Sequence, residues 1–167
     1  YVYVNQDFNR IESIPQILFE YPSGASAIDG DITPIWNEER QKMEYHLFYV
    51  AHESGSGIKQ AVSDRIDGSY RFDPRWIDFE PVACEAPNVW KRIGENKWVL
   101  MYDIFGINPH NFGFVETCDF VHFKNLGRFN EGIMKTTNFR SPKHGAVIHL
   151  TKEEADRIED YWNNQKH

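Results

Sequence analysis

IDGDITPIW (28–36) followed by EYHLFYV (44–50) is one copy of a repeat, and CEAPNVWK (84–91) followed by KWVLMYD (97–103) is the next. Each copy opens on an acidic residue, runs through β-branched and aromatic positions, turns, and returns as a dense apolar run. Asp29 matches Glu85 in this alignment, and Tyr45 matches Trp98. A third start lies at KHGAVIHL (143–150), where His144 follows Glu85 at a similar interval. Polar corners followed by an aromatic also recur, at VNQDF (4–8), VSDRIDGSY (62–70) and ETCDFVHF (116–123), with the acids Asp7, Asp64 and Asp119. Every one of these spacings falls in the fifties.

Other short strand-like runs fill the intervals: VYV (2–4), KQAVS (59–63), FGFVET (112–117) and AVIHL (146–150). Turn signals separate them at SGSG (54–57), IDGSY (66–70), IGEN (93–96) and INPHN (107–111). One segment reads as helix. TKEE (151–154) is a capping box, with Ala155, Ile158 and Trp162 following at helical spacing. A period in the fifties holding about four short strands is the signature of a β-propeller blade. The expected fold is therefore all-β, a partial propeller of about three blades with a C-terminal helix over 151–163. The divisions fall at 1–22 (end of a blade), 23–78 and 79–125 (two blades) and 126–150 (a closing blade). Three blades do not close a ring, so blades outside this chain, or a partner chain, are expected to complete it. Repeat-equivalent positions at the starts of innermost strands converge on the axis of a propeller. Asp29, Glu85 and His144 are expected to meet there; three unrelated strand-end residues are the alternative.

Composition narrows the function classes. The chain has 167 residues, 41% apolar and 15% aromatic, enough for a substantial core. Its net charge of −7 disfavours a phosphate backbone as partner, so nucleic acid is not expected. No run approaches the ~18 apolar residues of a membrane span. The first residues, YVYVNQDFNR, lack a signal-peptide pattern and an initiator Met, and read as the middle of a strand of a processed or longer polypeptide. Two cysteines, Cys84 and Cys118, read as unpaired thiols rather than a scaffold.

In order and spacing the chain resembles the C-terminal half of glycoside hydrolase family 43. The segments that carry the resemblance are QDFNRIESIPQILFEYP (6–22), AIDGDI (27–32), EYHLFYVAHESGSGIKQAVSD (44–64), EAPNVWKRIGENKWVLMYD (85–103) and SPKHGAVIHLTKEEADRI (141–158). The family is a five-bladed propeller acting on arabinose- and xylose-containing glycans. The resemblance implies that Glu85 is the general acid and Asp29 the carboxylate that tunes it, with Asp31 as the other register for the second role. The family's base would lie in a blade outside this chain, so the chain alone is expected to be inactive. The usual Glu-Gly-Pro around the acid reads Glu-Ala-Pro here, with Ala86 in the glycine's place. A histidine near the axis commonly supports a bound calcium ion in the family, which makes His144 the metal-linked candidate beside a plain packed histidine; no cofactor is needed for the chemistry. The resemblance also favours a secreted or periplasmic parent.

Inverting hydrolysis needs a protonated acid on the leaving oxygen and a base for water on the opposite face. A neighbouring carboxylate raises the acid's pKa by like-charge repulsion. The other readings are that Glu85 pairs with Lys91 or Arg92, and that Asp29 merely closes its own turn. For sugar contacts the candidates are Trp90, Tyr102, Asp103, His52 and Asp31, with Trp36, Trp76, Phe105 and Phe112 as further aromatics that are more commonly core. The rival function is a non-catalytic carbohydrate-binding or assembly module.

Overall fold

In a computed structural model, residues 1–136 and 139–165 are described. The chain forms two four-stranded antiparallel sheets followed by a helix. The first sheet holds β1 (Ala27–Asn37), β2 (Lys42–Ala51), β3 (Gly57–Ser63) and β4 (Arg71–Phe72), and the second holds β5 (Glu85–Lys91), β6 (Trp98–Ile104), β7 (Asn111–Thr117) and β8 (Lys124–Arg128). In both, spatial order follows chain order, so every connection is a hairpin or short loop.

The apolar alternation in the central strands explains the layering. Phe48 and Val50 of β2, with Leu100, Tyr102 and Ile104 of β6, point into the space between the sheets. Ile58, Ile77, Cys84, Val115 and Phe120 complete that shared core. The interleaved residues Leu47, Tyr49 and Ala51 face the other way and are covered by Leu18, Phe19 and Tyr21 of the N-terminal segment. On the far side of the second sheet Val99, Met101 and Phe114 pack under Phe129, Met134 and Val147. Both central strands are thus covered on both faces.

Lys59 is buried in the first of these outer layers. Its Nζ reaches the Tyr21 hydroxyl at 2.9 Å and Glu53 at 3.2 Å, and lies 4.3 Å from the Trp76 ring centroid. The charge is therefore paired and stacked rather than bare, as burial demands.

The terminal helix α1 (Lys152–Asn164) carries the expected capping box on Thr151 and Glu154, and none of its residues is buried. Two expected strands are not ladder-paired. VYV (2–4) contributes a single bridge, Val4 to Ile11, and AVIHL (146–150) is extended without a paired strand among the described residues. In the first two copies the inner strand turns back as a hairpin; here the chain enters α1 at once. Cys84 and Cys118 are both free thiols, Cys84 buried and Cys118 exposed.

Side chains tie the sheets at one corner. Gln60 Nε2 donates to Asp73 Oδ2 at 3.1 Å and to the Phe120 carbonyl at 2.8 Å, while Arg75 donates to Asp73 and to the Val121 carbonyl. Hydrogen bonding from Arg75, working against partial desolvation, holds the Asp73 carboxyl down to about 2, below its ordinary 3.8. A depressed carboxyl contributes stability above its ordinary pKa that is lost as pH falls through the folded value. Asp73→Asn should therefore cost about 1–2 kcal/mol at pH 7. Urea titrations in stepwise more acidic buffer should show the gap to wild type closing towards pH ~2.

Candidate active site

The inner strands β1 and β5 run side by side at the seam between the sheets, and each is bulged near its start. Ladder pairing of β1 to β2 shifts between Ile28 and Asp31; that of β5 to β6 shifts between Glu85 and Asn88. The bulged residues Asp29 and Ala86 both adopt left-handed backbone, φ 53° and 51°. By ladder position Asp29 corresponds to Ala86, and Ile28 to Glu85. The two acids, matched to each other by the repeat, are thus one position out of step. Glu85 is the last ladder-paired residue before its bulge, opposite Asp103, whereas Asp29 sits within its own.

The bulges free side chains to bond across the seam. Asp29 Oδ2 accepts from the Ala86 amide at 3.2 Å and Asp31 Oδ2 from the Val89 amide at 2.7 Å. The pattern recurs one step on, where Asn88 Oδ1 accepts from the Val147 amide at 2.8 Å. His144 completes the series as a third left-handed residue, φ 44°. The segment 143–150 therefore lies against β5 much as β5 lies against β1.

This geometry brings Asp29, Glu85 and His144 together, one ligand-capable atom of each within 4.8 Å of the others. His144 Nε2 lies 3.0 Å from Glu85 Oε1. The Lys143 ammonium donates to the same oxygen and stands 3.7 Å from Asp103 Oδ2. Lys143 has no local sequence signal, since a lysine in SPKHG (141–145) carries none of its own. Asp103 is fully buried; its Oδ2 accepts from the His144 amide at 3.1 Å, and its Oδ1 has no hydrogen-bond partner among the described residues.

Burial pushes the Glu85 carboxyl upward, but the contacts from Lys143 and then His144 outweigh it and hold the group below its ordinary range. The neighbouring carboxylate was expected to raise it; in this arrangement the ammonium wins. Glu85 also does not pair with Lys91 or Arg92. Lys91 Nζ lies over Trp98, and Arg92 is bonded to Glu116. Burial raises Asp31, with the Val89 amide opposing it. Two carboxylates and an imidazole are a donor set that suits a divalent ion in size, but one Glu85 oxygen already carries an ammonium.

The expected sugar contacts divide. Tyr102 and Asp103 are fully buried, Tyr102 within the core between the sheets, so neither meets a sugar. The alternation in WVLMYD was ambiguous because both faces of β6 are covered. Trp90 is half-buried against Phe114 and, with the bulge between, lies four ladder positions along the sheet from Glu85, about 13 Å away. With Trp36 it lines a separate cavity of about 450 Å³. His52 is exposed just beyond β2, its amide bonded to the Ser26 carbonyl. A cavity of about 490 Å³ lies between the loop 54–57, Trp76, Asp78 and residues 80–83, and no member of the cluster lines it.

Ala86 stands in the left-handed position that a glycine fills without steric cost. That backbone costs a non-glycine residue about 1–2 kcal/mol. Ala86→Gly should raise stability by about 0.5–1 kcal/mol, net of the extra chain entropy. Asp31→Ala strands the Val89 amide and should cost about 1–3 kcal/mol, while Asp31→Asn keeps an acceptor and should cost less. Equilibrium urea unfolding of the three variants checks both signs.

Residues 1–156 match the model of a family described as a probable glycosyl hydrolase domain. No curated protein matches the chain. Two solved structures resemble it, both described as putative glycoside hydrolases. That from Parabacteroides distasonis ATCC 8503 is 16% identical with a TM-score of 0.50, over 65% of this chain and 34% of that one. That from Bacteroides ovatus ATCC 8483 is 12% identical with a TM-score of 0.44, over 68% of this chain and 41% of that one. The chain thus spans about a third to two-fifths of the length of these structures, and at such identities the likeness concerns fold alone. The family match extends over nearly the whole sequence, and the chain belongs to this glycosyl hydrolase family, related to glycoside hydrolase family 43.

Proposed function

We propose that this chain is the C-terminal part of a five-bladed propeller glycosidase that hydrolyses arabinosyl or xylosyl linkages with inversion. Glu85 is the proton donor, Asp29 the carboxylate beside it, and the base comes from polypeptide outside residues 1–167. The observation that carries the reading is the meeting of Asp29 and Glu85 at the starts of successive inner strands, distant in sequence and within 4.8 Å in space. Their separation matters. An inverting acid and base stand roughly 6.5–9.5 Å apart to admit water. A pair as close as this one is too tight for that role and suits a donor and its tuning partner. The repeat of cross-seam bonds from Asp31 to Val89 and from Asn88 to Val147 supports a radial arrangement of sheets.

In this reading Glu85 gains its proton when a further carboxylate and the substrate displace the Lys143 contact. The contact itself favours a second reading, a carbohydrate-binding module in which Glu85 stays ionised and accepts hydrogen bonds from sugar hydroxyls. Turnover separates the two. The test uses the longer protein encoded by the reading frame around this chain, with aryl arabinofuranosides and xylosides as substrates. Glu85→Gln should lower kcat by about 10²–10⁴-fold. Activity within a few-fold of wild type would remove Glu85 from the chemistry, and sugar binding without turnover by any form would favour the binding module.

A further inference from the structure

We propose that the Lys143 ammonium is the resident cation of the Asp29–Glu85–His144 cluster, built into the chain where a divalent metal ion would otherwise sit. The proposal takes Glu85 and Asp29 as the reactive pair of the preceding section, but its test reads ion binding rather than hydrolysis, so the two can fail separately.

The geometry has three parts. First, Glu85, Asp103 and Asp29 place three carboxylates around one end of β5 and β6, an unfavourable gathering without a positive charge. Lys143 supplies it, donating to Glu85 Oε1 and lying 3.7 Å from Asp103 Oδ2. Asp103 is fully buried, and its carboxylate is reached by no other cation among the described residues. Second, the lysine is delivered by an anchored segment. His110 N donates to Ser141 Oγ at 3.0 Å, His144 N to Asp103 Oδ2 at 3.1 Å, and Val147 N to Asn88 Oδ1 at 2.8 Å. Gly145 packs closely beneath, since a Cβ there would lie 3.1 Å from Met101 and Phe112. Third, the ammonium is 5.1 Å from the Phe105 ring centroid, which leaves it a face to rest on. An ammonium and a metal ion both need the Glu85 oxygen, and they exclude one another by charge.

The cation therefore cannot be extracted by a chelator, and the cluster should bind metal only when the lysine is removed. Manganese is the probe, because it accepts carboxylate oxygens and broadens the resonances of nearby amides. In wild-type chain at about 1 mM manganese, an affinity range of weak oxygen-rich sites, the amides of residues 85, 86, 88 and 144–146 should be no more broadened than other exposed amides. Lys143→Arg should behave as wild type. Lys143→Ala should show selective broadening at these residues, reversed by excess calcium and absent from Lys143→Ala combined with Asp29→Asn. Selective broadening in wild type that Asp29→Asn removes would overturn the proposal, as would a folded Lys143→Ala chain indifferent to manganese. If Lys143→Ala does not fold, the wild-type and Lys143→Arg measurements still decide, since a metal-binding Lys143→Arg chain contradicts a side-chain cation that occupies the place of the metal ion.

Discussion

The molecule depends on how the amides at the seam between the two sheets are satisfied. β1 and β5 lie side by side without forming a ladder, so the amides that face the seam need side-chain acceptors. Asp29 serves Ala86, Asp31 serves Val89, and Asn88 serves Val147. An unpaired buried amide costs about 1–3 kcal/mol, which makes these short polar side chains a structural requirement before they are anything else. The left-handed bulges follow from it. A regular strand would keep residues 29 and 31 on one face of the sheet; the extra residue re-aims them, so both reach the neighbouring strand.

The same device assembles the site. Once Asp29 is turned to the Ala86 amide, its carboxylate is carried to the residue beside Glu85. Once Asp103 holds the His144 amide, both Lys143 and His144 are brought to the Glu85 carboxylate. The chemistry-bearing groups are thus placed by backbone hydrogen bonds to buried or half-buried acceptors rather than by loops. That is a rigid mode of placement.

Much of this was legible in the sequence, and the failures share a cause. The match of Tyr45 to Trp98 holds in the ladders, since Tyr45 pairs with Pro34 and Trp98 with Lys91, the corresponding inner-strand residues. The helix was legible because capping is a local code carried by Thr151 and Glu154. The inner strands were misaligned by one because a bulge leaves no mark on composition unless glycine occupies it. Gly30 follows the first bulged residue rather than occupying its place, and Ala86 hides the second. Tyr102 and Asp103 were misread because period-two alternation assigns a face only when one face meets water, and neither face of β6 does. Lys143 was invisible since its role comes from contacts with Glu85 and Asp103, both remote along the chain, and no local pattern records them.

The electrostatics of the cluster distinguish its carboxylates from one another. Three carboxylates and one ammonium leave the described site net acidic even with Lys143 in place, before His144 is counted. A further negative charge brought near the cluster would add repulsion to Glu85 first, because Asp29 is already bonded to the Ala86 amide and Asp103 to the His144 amide. Glu85 is the one member whose interactions are all with side chains, a lysine and a histidine that can move. It is therefore the group on which an added negative charge would fall as a gain of a proton rather than as a loss of structure. The carboxylates of this single acidic cluster are told apart by whether backbone or side chain holds each one.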